Sequence, residues 1–219
     1  MPAAASPRMY SKVRRYRERK HMAASLPDES ALPAPYLLWP TTALATLSQL
    51  PLPAGYAFRS FHTGDEQALL PLFDQEGWLI TDADWQDYLE RVLPHGLFMV
   101  WHIASNTLVG TAGAIHNPRG ARYTFPFGGA LAYLIVHPDH RGHGLGMVLS
   151  NRVVHHLLAM GYEHIWVGVQ GFRLPAIKTY LNLGFVPFLH QDGLAERWQQ
   201  ICTQLGWPYT PERWPTGIR

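Results

Sequence analysis

The sequence predicts an α/β domain built from a sheet with flanking helices. Short alternating or continuous apolar runs, which are typical of strands, are interleaved with longer segments whose apolar residues recur at helical spacing. The 219 residues, 47% of them hydrophobic, are enough for one globular domain and an extension.

The first 53 residues are predicted to be an N-terminal extension. Residues 8–21 (RMYSKVRRYRERKH) are strongly basic, and a stretch rich in Pro, Ala and Ser follows. This composition is typical of a solvated, partly disordered tail. The alternative is an arm that binds nucleic acid or an acidic partner, and translation from Met9 or Met22 instead of Met1 would shorten or remove it. Within the extension, Tyr36–Pro40 (YLLWP) is expected to add an edge strand or to pack over the domain.

The domain is predicted to span residues 54–206, before a C-terminal tail at 207–219. Its first half shows alternation at period two, then two amphipathic segments, then a hairpin pattern with a short turn. These patterns predict a strand from Tyr56, helices at Glu66–Asp74 and Asp82–Leu93 (with Asp82 as N-cap), strands at Leu97–Ala104 and Leu108–His116, and a loop at 117–129.

The most informative stretch is Ala130–Leu158. It consists of an apolar strand (Ala130–Val136), a corner (His137–His140), a glycine-rich loop (Arg141–Gly146) and an amphipathic helix that Gly161 ends. Alternate glycines before a helix let backbone N–H groups point at a phosphate or pyrophosphate. The spacing fits neither a Walker loop nor a dinucleotide-binding fingerprint.

The remaining elements continue the alternation of strand and helix. We expect a strand at His164–Val169, a helix from Pro175 to about Leu183 closed by Gly184, a last strand (FVPFLHQ), and a structural C-terminal helix over Leu194–Gly206.

Two motifs carry a resemblance to a known family. LIVHPDHRGHGLG and AIKTYLNLGF (Ala176–Phe185) resemble the central motifs of the GCN5-related N-acetyltransferase (GNAT) superfamily. The resemblance is specific over Ala130–Phe185 and extends, by the order of elements, back to Tyr56. It implies a mixed, mostly antiparallel twisted sheet with a splayed parallel strand pair at the centre. It also implies an acyl-CoA-dependent N-acyltransferase that transfers acetyl from acetyl-CoA to a primary amine by direct attack.

The resemblance also implies roles for particular residues. Main-chain groups near three strand residues would bind the pantetheine arm, and one N–H would polarise the thioester carbonyl; the loop would hold the pyrophosphate. Tyr180 would donate a proton to the departing sulfur, since a phenol with a pKa near ~10 can protonate a thiolate whose thiol has a pKa near ~8.5. The cofactor-binding residues predicted in this way are Leu134, Ile135, Val136, Arg141, Gly142, His143, Gly144, Leu145 and Gly146.

Two positions depart from the family pattern. Arg173 stands where many members have Asn, and it could reach a phosphate or stay in solvent. Ala130 stands where many members have a Glu that acts as general base through water. Tyr133, His116 or a chain of waters could replace that Glu, so the general base stays open.

Composition and cysteine usage exclude several other classes. The net charge is +2 and no apolar run reaches the ~18 residues of a membrane span, so we expect a cytoplasmic protein without a membrane or nucleic-acid partner. The single cysteine, Cys202, cannot form an internal disulfide and lies outside both motifs, which favours direct transfer over a covalent intermediate. No metal is expected, because His137, His140 and His143 lie on a corner and loop that would point them in different directions.

The acceptor is the least constrained feature. The resemblance implies that the first two helices and their connection wall the acceptor pocket. This segment is acidic and aromatic (Asp74, Glu76, Trp78, Asp82, Asp84, Trp85, Asp87), which could attract a cationic amine or form a solvated face. A protein N-terminus, a lysine, a polyamine and an aminoglycoside all remain open, as do the acyl chain length and a homodimer. The competing functions are a non-catalytic acyl-CoA-binding sensor and nucleic-acid binding through residues 8–21.

Overall fold

The computed structural model describes residues 33–40, 47–78, 80–120 and 123–217. The basic run at 8–21 lies outside the described residues. The chain from Ala34 onward forms one compact unit, which therefore includes residues assigned by the sequence analysis to the extension.

A seven-stranded sheet forms the centre of this unit, in the order β2-β3-β4-β5-β6-β1-β7. Every neighbouring pair is antiparallel except β5 and β6, which are parallel. This confirms the predicted mixed, mostly antiparallel sheet with one parallel pair at its centre. The strands are β1 (Tyr36–Leu38), β2 (Tyr56–Ser60), β3 (Val92–His102), β4 (Thr107–His116), β5 (Gly128–Val136), β6 (His164–Gly168) and β7 (Val186–Phe188).

Among the described residues, five α-helices pack on the sheet and divide the core into two clusters. One cluster holds the apolar sides of α3, α4 and α5, and the other holds those of α1 and α2. Amphipathic helices bury one stripe each, so a helical layer on each side covers the apolar faces of the strands. The helices are α1 (Glu66–Gln75), α2 (Asp82–Arg91), α3 (Leu145–Ala159), α4 (Leu174–Leu183) and α5 (Leu194–Leu205).

The start and end of α2 differ from the prediction. Thr81, not Asp82, is the N-cap, and its hydroxyl accepts from the Asp84 amide while the Asp84 carboxylate accepts from the Thr81 amide. This reciprocal capping satisfies two backbone donors that a helix start leaves free. The helix ends at Arg91, and β3 begins at the next residue instead of at Leu97.

Strand β1 lies inside the sheet, between β6 and β7. The prediction of an edge strand is therefore wrong. Tyr36, Leu37 and Leu38 are all buried, with Leu37 in one core cluster and the other two in the second. A strand that is apolar on both faces suits an interior position, and Pro40 lies beyond the three residues whose backbone groups pair.

The predicted C-terminal tail packs against the domain. Trp214 is buried beside Trp198 of α5, with 6.2 Å between ring centroids. The Tyr209 hydroxyl donates to the Ala195 carbonyl over 3.1 Å, and the Leu189 amide donates to the Pro215 carbonyl over 2.9 Å. Residues 207–217 thus contribute to the core of the domain.

The interior position of β1 makes a testable prediction. Leu37→Ala removes a side chain that is 0% exposed, so it should lower the free energy of unfolding by about 2–5 kcal/mol, measured by urea denaturation. Leu50→Ala is the matched control, because Leu50 is 37% exposed. Equal, small losses for both variants would contradict an interior β1.

Candidate active site

The parallel strands β5 and β6 separate soon after they begin to pair. Their register covers only Gly128–Ala130 against His164–Trp166. From Trp166 to Gly168, β6 pairs with β1, while β5 continues to Val136 with β4 as its neighbour. The second half of β5 therefore has an open edge on the side where β6 has turned away.

A β-bulge lies in this open part of β5. Thr111 pairs with Ile135 and Gly113 pairs with Ala132, so Tyr133 and Leu134 together face a single β4 residue. Tyr133 has a positive φ of 50°. Such bulges bend a strand and redirect its side chains and backbone groups, and they are frequent beside active sites.

The register also shows which main-chain groups face the open edge. The His137 amide donates to the Val109 carbonyl of β4. Because successive residues of a strand direct their N–H groups to opposite sides, Ile135 also faces β4, and the Val136 amide faces the open edge. Of the three residues predicted to bind pantetheine, Val136 thus has its amide at the open edge, Leu134 lies in the bulge, and Ile135 is used in the β4 ladder.

A cleft of about 470 Å³ follows the gap between the two strands. Five aromatic side chains of the described residues wall it, namely Tyr36, Trp78, Tyr133, Trp166 and Tyr180. Its remaining lining is Ala34, Arg91, Ile115, Asn117, Ala130, Leu131, Ala132, Leu134, Val167, Gly168, Val169, Gln170, Arg173 and Ala176.

The glycine-rich loop leads from β5 into α3 with most of its amides free. Gly142 and Gly144 have φ values of 83° and 78°, and a Cβ at either position would meet nothing within 4 Å. Backbone conformation, not crowding, therefore favours glycine there. The amides of Gly142–Gly146 have no recorded acceptor in the described part of the chain, but the Arg141 amide donates to the Pro138 carbonyl. That amide is not available to a ligand.

The side chain of Arg141 forms half of a clamp on Glu76. Its guanidinium contacts the Glu76 carboxylate and also donates to the Val136 carbonyl over 3.0 Å. Arg173 Nη1 donates to the other carboxylate oxygen over 2.9 Å, and its guanidinium lies 4.7 Å from the centroid of the Trp78 ring. Glu76 follows α1 directly, so it links that helix to the two arginines. No sequence motif marked Glu76, because its partners are 65 and 97 residues away.

Tyr180 lies on α4 and lines the cleft. It is 5% exposed. Burial raises the pKa of its phenol, against a smaller opposing effect of Arg173. The hydroxyl therefore stays protonated at neutral pH and can serve as a proton donor.

The position that many family members fill with a general base, and two residues that could replace it, differ in whether they line the cleft. Ala130 lines the cleft and has no proton acceptor. Tyr133 lines it too, but burial is the main cause that raises the pKa of its phenol, which makes it a poor base near neutral pH. His116 does not line the cleft; its Nδ1 lies 2.9 Å from the Tyr162 hydroxyl.

The rings of His102, His140 and His143 lie around Tyr56. The Tyr56 hydroxyl is 3.1 Å from His140 Nδ1, and the rings of His102 and His137 lie 4.9 and 5.9 Å from that of His140. His143 Nδ1 lies 3.2 Å from the His140 carbonyl. No group of three or more possible metal ligands occurs among the described residues.

None of the carboxylates of the acidic segment, all of them described residues, lines the cleft. Asp84 caps α2, Asp87 pairs with Arg91, and Glu76 is held by the two arginines. Trp78 is the one member of that segment in the cleft wall. Three of the five carboxylates expected to attract a cation, those of Glu76, Asp84 and Asp87, are thus engaged with partners of their own.

Comparison with known proteins identifies the family. A model of the acetyltransferase (GNAT) family matches residues 61–185, which is more than half of the chain. An acetyltransferase of Sodalis glossinidius is 30% identical over 129 residues, covering 58% of this chain and 84% of that protein. A mycothiol acetyltransferase of Thermobispora bispora is 28% identical over 144 residues, covering 61% of this chain and 48% of that protein. The chain belongs to the GNAT family of acetyltransferases.

Solved structures share the fold. A GCN5-related N-acetyltransferase of Sphaerobacter thermophilus aligns with a TM-score of 0.55 and 19% identity over 71% of this chain and 49% of that one. A GNAT-family acetyltransferase of Colwellia psychrerythraea aligns with a TM-score of 0.52 and 17% identity over 71% of this chain and 53% of that one. The match spans about half of each solved chain. No helix of the described residues is long and apolar enough to cross a bilayer.

The crowded histidines make a prediction about stability in acid. Desolvation, with neighbouring His102 and His137, lowers the pKa of His140 below its ordinary 6.5. His140 therefore takes up a proton less readily in the folded state than in the unfolded state. Its contribution to the free energy of unfolding is present above about pH 6.5 and is lost as the pH falls. His140→Gln should make the fall in Tm between pH 7.5 and 5.5 smaller than in the parent.

His62→Gln serves as the control, because the His62 side chain is 75% exposed. Melting curves at both pH values measure the effect. An acid-induced fall in Tm that His140→Gln leaves unchanged would contradict this role for the cluster.

Proposed function

We propose that this protein is an acyl-CoA-dependent N-acyltransferase that transfers acetyl from acetyl-CoA directly to a primary amine. The observation that carries the proposal is the open edge of β5 beside a loop of free amides. Together they offer what coenzyme A needs: main-chain partners for the pantetheine amides and a cradle for the diphosphate.

The loop and the two arginines account for the diphosphate end. The N–H groups of Gly142–Gly146 have no acceptor among the described residues and lie at the N-terminus of α3, where the helix dipole favours negative charge. Arg141 and Arg173 lie beside this site and hold a carboxylate in the present structure. Their attraction to an anion is the chemistry that a diphosphate requires.

The bulge and Tyr180 account for the reacting end. A main-chain N–H near Leu134 or Val136 would polarise the thioester carbonyl, a contribution typically worth ~3 kcal/mol at the transition state. The amine nitrogen attacks the carbonyl carbon, the carbon–sulfur bond breaks, and Tyr180 gives its proton to the sulfur. The new amide nitrogen loses its extra proton, and the phenolate recovers one.

Direct attack is favoured over an acyl-cysteine intermediate. Cys202 is 1% exposed, lies on α5 and is not among the residues that line the cleft. Burial raises the pKa of its thiol, so little thiolate is present at neutral pH.

The residues that line the cleft favour water as the acceptor of the amine's proton. The described residues that line the cleft include no carboxylate and no histidine. We infer that the amine loses its proton to solvent. The same observation, with Ala130 where many members have Glu, favours the second candidate function, a non-catalytic acyl-CoA-binding module.

Tyr180→Phe tests the catalytic role. The variant keeps the ring but removes the proton donor, so kcat should fall by about 10²–10⁴-fold, while the Kd for acetyl-CoA measured by calorimetry stays within about threefold. Thiol release against a panel of amines measures kcat. Tyr209→Phe is the matched control, because the Tyr209 hydroxyl bonds to Ala195 and its ring does not line the cleft.

The outcomes separate the candidates. Turnover that Tyr180→Phe leaves unchanged would remove Tyr180 as the proton donor. Tight binding of acetyl-CoA to the parent without thiol release on any amine would replace the enzyme by the binding module.

A further inference from the structure

The charges that line the cleft are opposite to those that the sequence suggested. The described lining residues include two arginines, Arg91 and Arg173, and no carboxylate. Arg173 belongs to the clamp on Glu76 beside the glycine-rich loop. Arg91 has no place in the mechanism described above.

Arg91 lies at the end of the cleft that is remote from the diphosphate loop. It ends α2, and the next residue, Val92, pairs with Ile115, which in turn pairs with Ala130 of β5. Ala130 is six residues from Val136, about 20 Å along an extended strand. The loop that follows Val136 is therefore too far for Arg91 to serve the diphosphate.

The bulge separates the two ends of the cleft. Tyr133 and Leu134 lie between Ala130 and Val136, and the thioester carbonyl would be bound there. An acceptor must approach that carbonyl from the side not filled by the pantetheine arm. Arg91 and Asn117, both lining residues, lie on that side.

The Arg91 side chain is held in position but keeps donors free. Its Nε donates to the Asp87 carbonyl over 3.2 Å, and Nη2 contacts the Asp87 carboxylate. A guanidinium has five N–H donors in a fixed fork, so these contacts fix the side chain and leave others for a ligand. The charge of Arg91 also opposes the burial that raises the pKa of Tyr133, which places the guanidinium within electrostatic reach of the cleft wall.

Two carboxylates of α2, Asp84 and Asp87, act against Arg91 at this end and raise the pKa of Tyr133 that Arg91 lowers. Asp84 is used in capping α2, and Asp87 has a side chain that is 64% exposed, so water screens it. The cleft wall beside Ala130, which pairs with Trp166, is aromatic, with 5.2 Å between the ring centroids of Tyr36 and Trp166. Arg91 could bind an anionic group of a ligand that lies against this wall.

We propose that the acceptor is a small amine that also carries an anionic group, a carboxylate or a phosphate, which Arg91 binds. This inference rests on the proposed function and narrows its substrate class. Arg91 thus acts as a specificity-determining residue, holding the anionic end while the amine reaches the thioester carbonyl.

Matched pairs of amines test the proposal. L-Phenylalanine is compared with phenylalaninamide, and 2-aminoethyl phosphate with ethanolamine, in thiol-release assays with acetyl-CoA. In at least one pair, the anionic member should have a kcat/KM at least tenfold higher. Arg91→Gln should reduce that preference by 10-fold or more, mainly through KM, and leave turnover of the neutral member within about threefold. The pair that responds distinguishes carboxylate from phosphate.

Two further variants complete the design. Arg152→Gln is the matched control, since Arg152 lies on α3 beside Gln49 and does not line the cleft. Asp87→Asn removes the carboxylate that competes for Arg91 and should strengthen binding of the anionic amines by several-fold. If Arg91→Gln does not fold, the proposal is tested by this gain in affinity, and an unchanged affinity in Asp87→Asn would contradict it.

Calorimetry of the same amines on the protein–CoA complex separates this inference from the proposed function. A preference for anionic amines that Arg91→Gln removes supports the anionic subsite even if no amine is turned over, an outcome that overturns only the proposed function. Equal use and equal binding of anionic and neutral members, or a preference that survives in Arg91→Gln, would overturn the subsite alone.

Discussion

The separation of β5 from β6 is the constraint on which the site depends. After Ala130 and Trp166 the two parallel strands no longer pair. Unpaired backbone groups in a protein interior are costly unless a partner satisfies them. A gap between two central strands is therefore stable only with support on both sides and is well suited to a ligand that brings its own amides.

The support on the far side comes from β1. This strand pairs with the other edge of β6, from Trp166 to Gly168, and joins β6 to β7. Its side chains fill both core clusters, and Tyr36 also lines the cleft. A segment that precedes the family motifs in the sequence thus stabilises the separation of the strands and forms part of the cleft wall.

What the sequence predicted well was local, and what it missed depends on contacts between distant residues. The free amides and positive φ of the glycine-rich loop follow from a short motif, as does the position of Tyr180 on α4. The interior position of β1, the Glu76 clamp and the Arg91 end of the cleft depend on partners far apart in sequence. Propensity and periodicity describe each segment by itself, so they cannot indicate such pairings. Glu76 shows this most clearly, because its two arginine partners are 65 and 97 residues away in the sequence.

Hydrogen exchange of the main-chain amides with and without coenzyme A tests most directly whether the gap and the loop form the binding site. Amides of Leu134, Val136 and Gly142–Gly146 are expected to become protected when coenzyme A binds, while amides of β2, at the far edge of the sheet, keep their rates. Protection confined to another part of the chain, or none at saturating coenzyme A, would contradict the site described here.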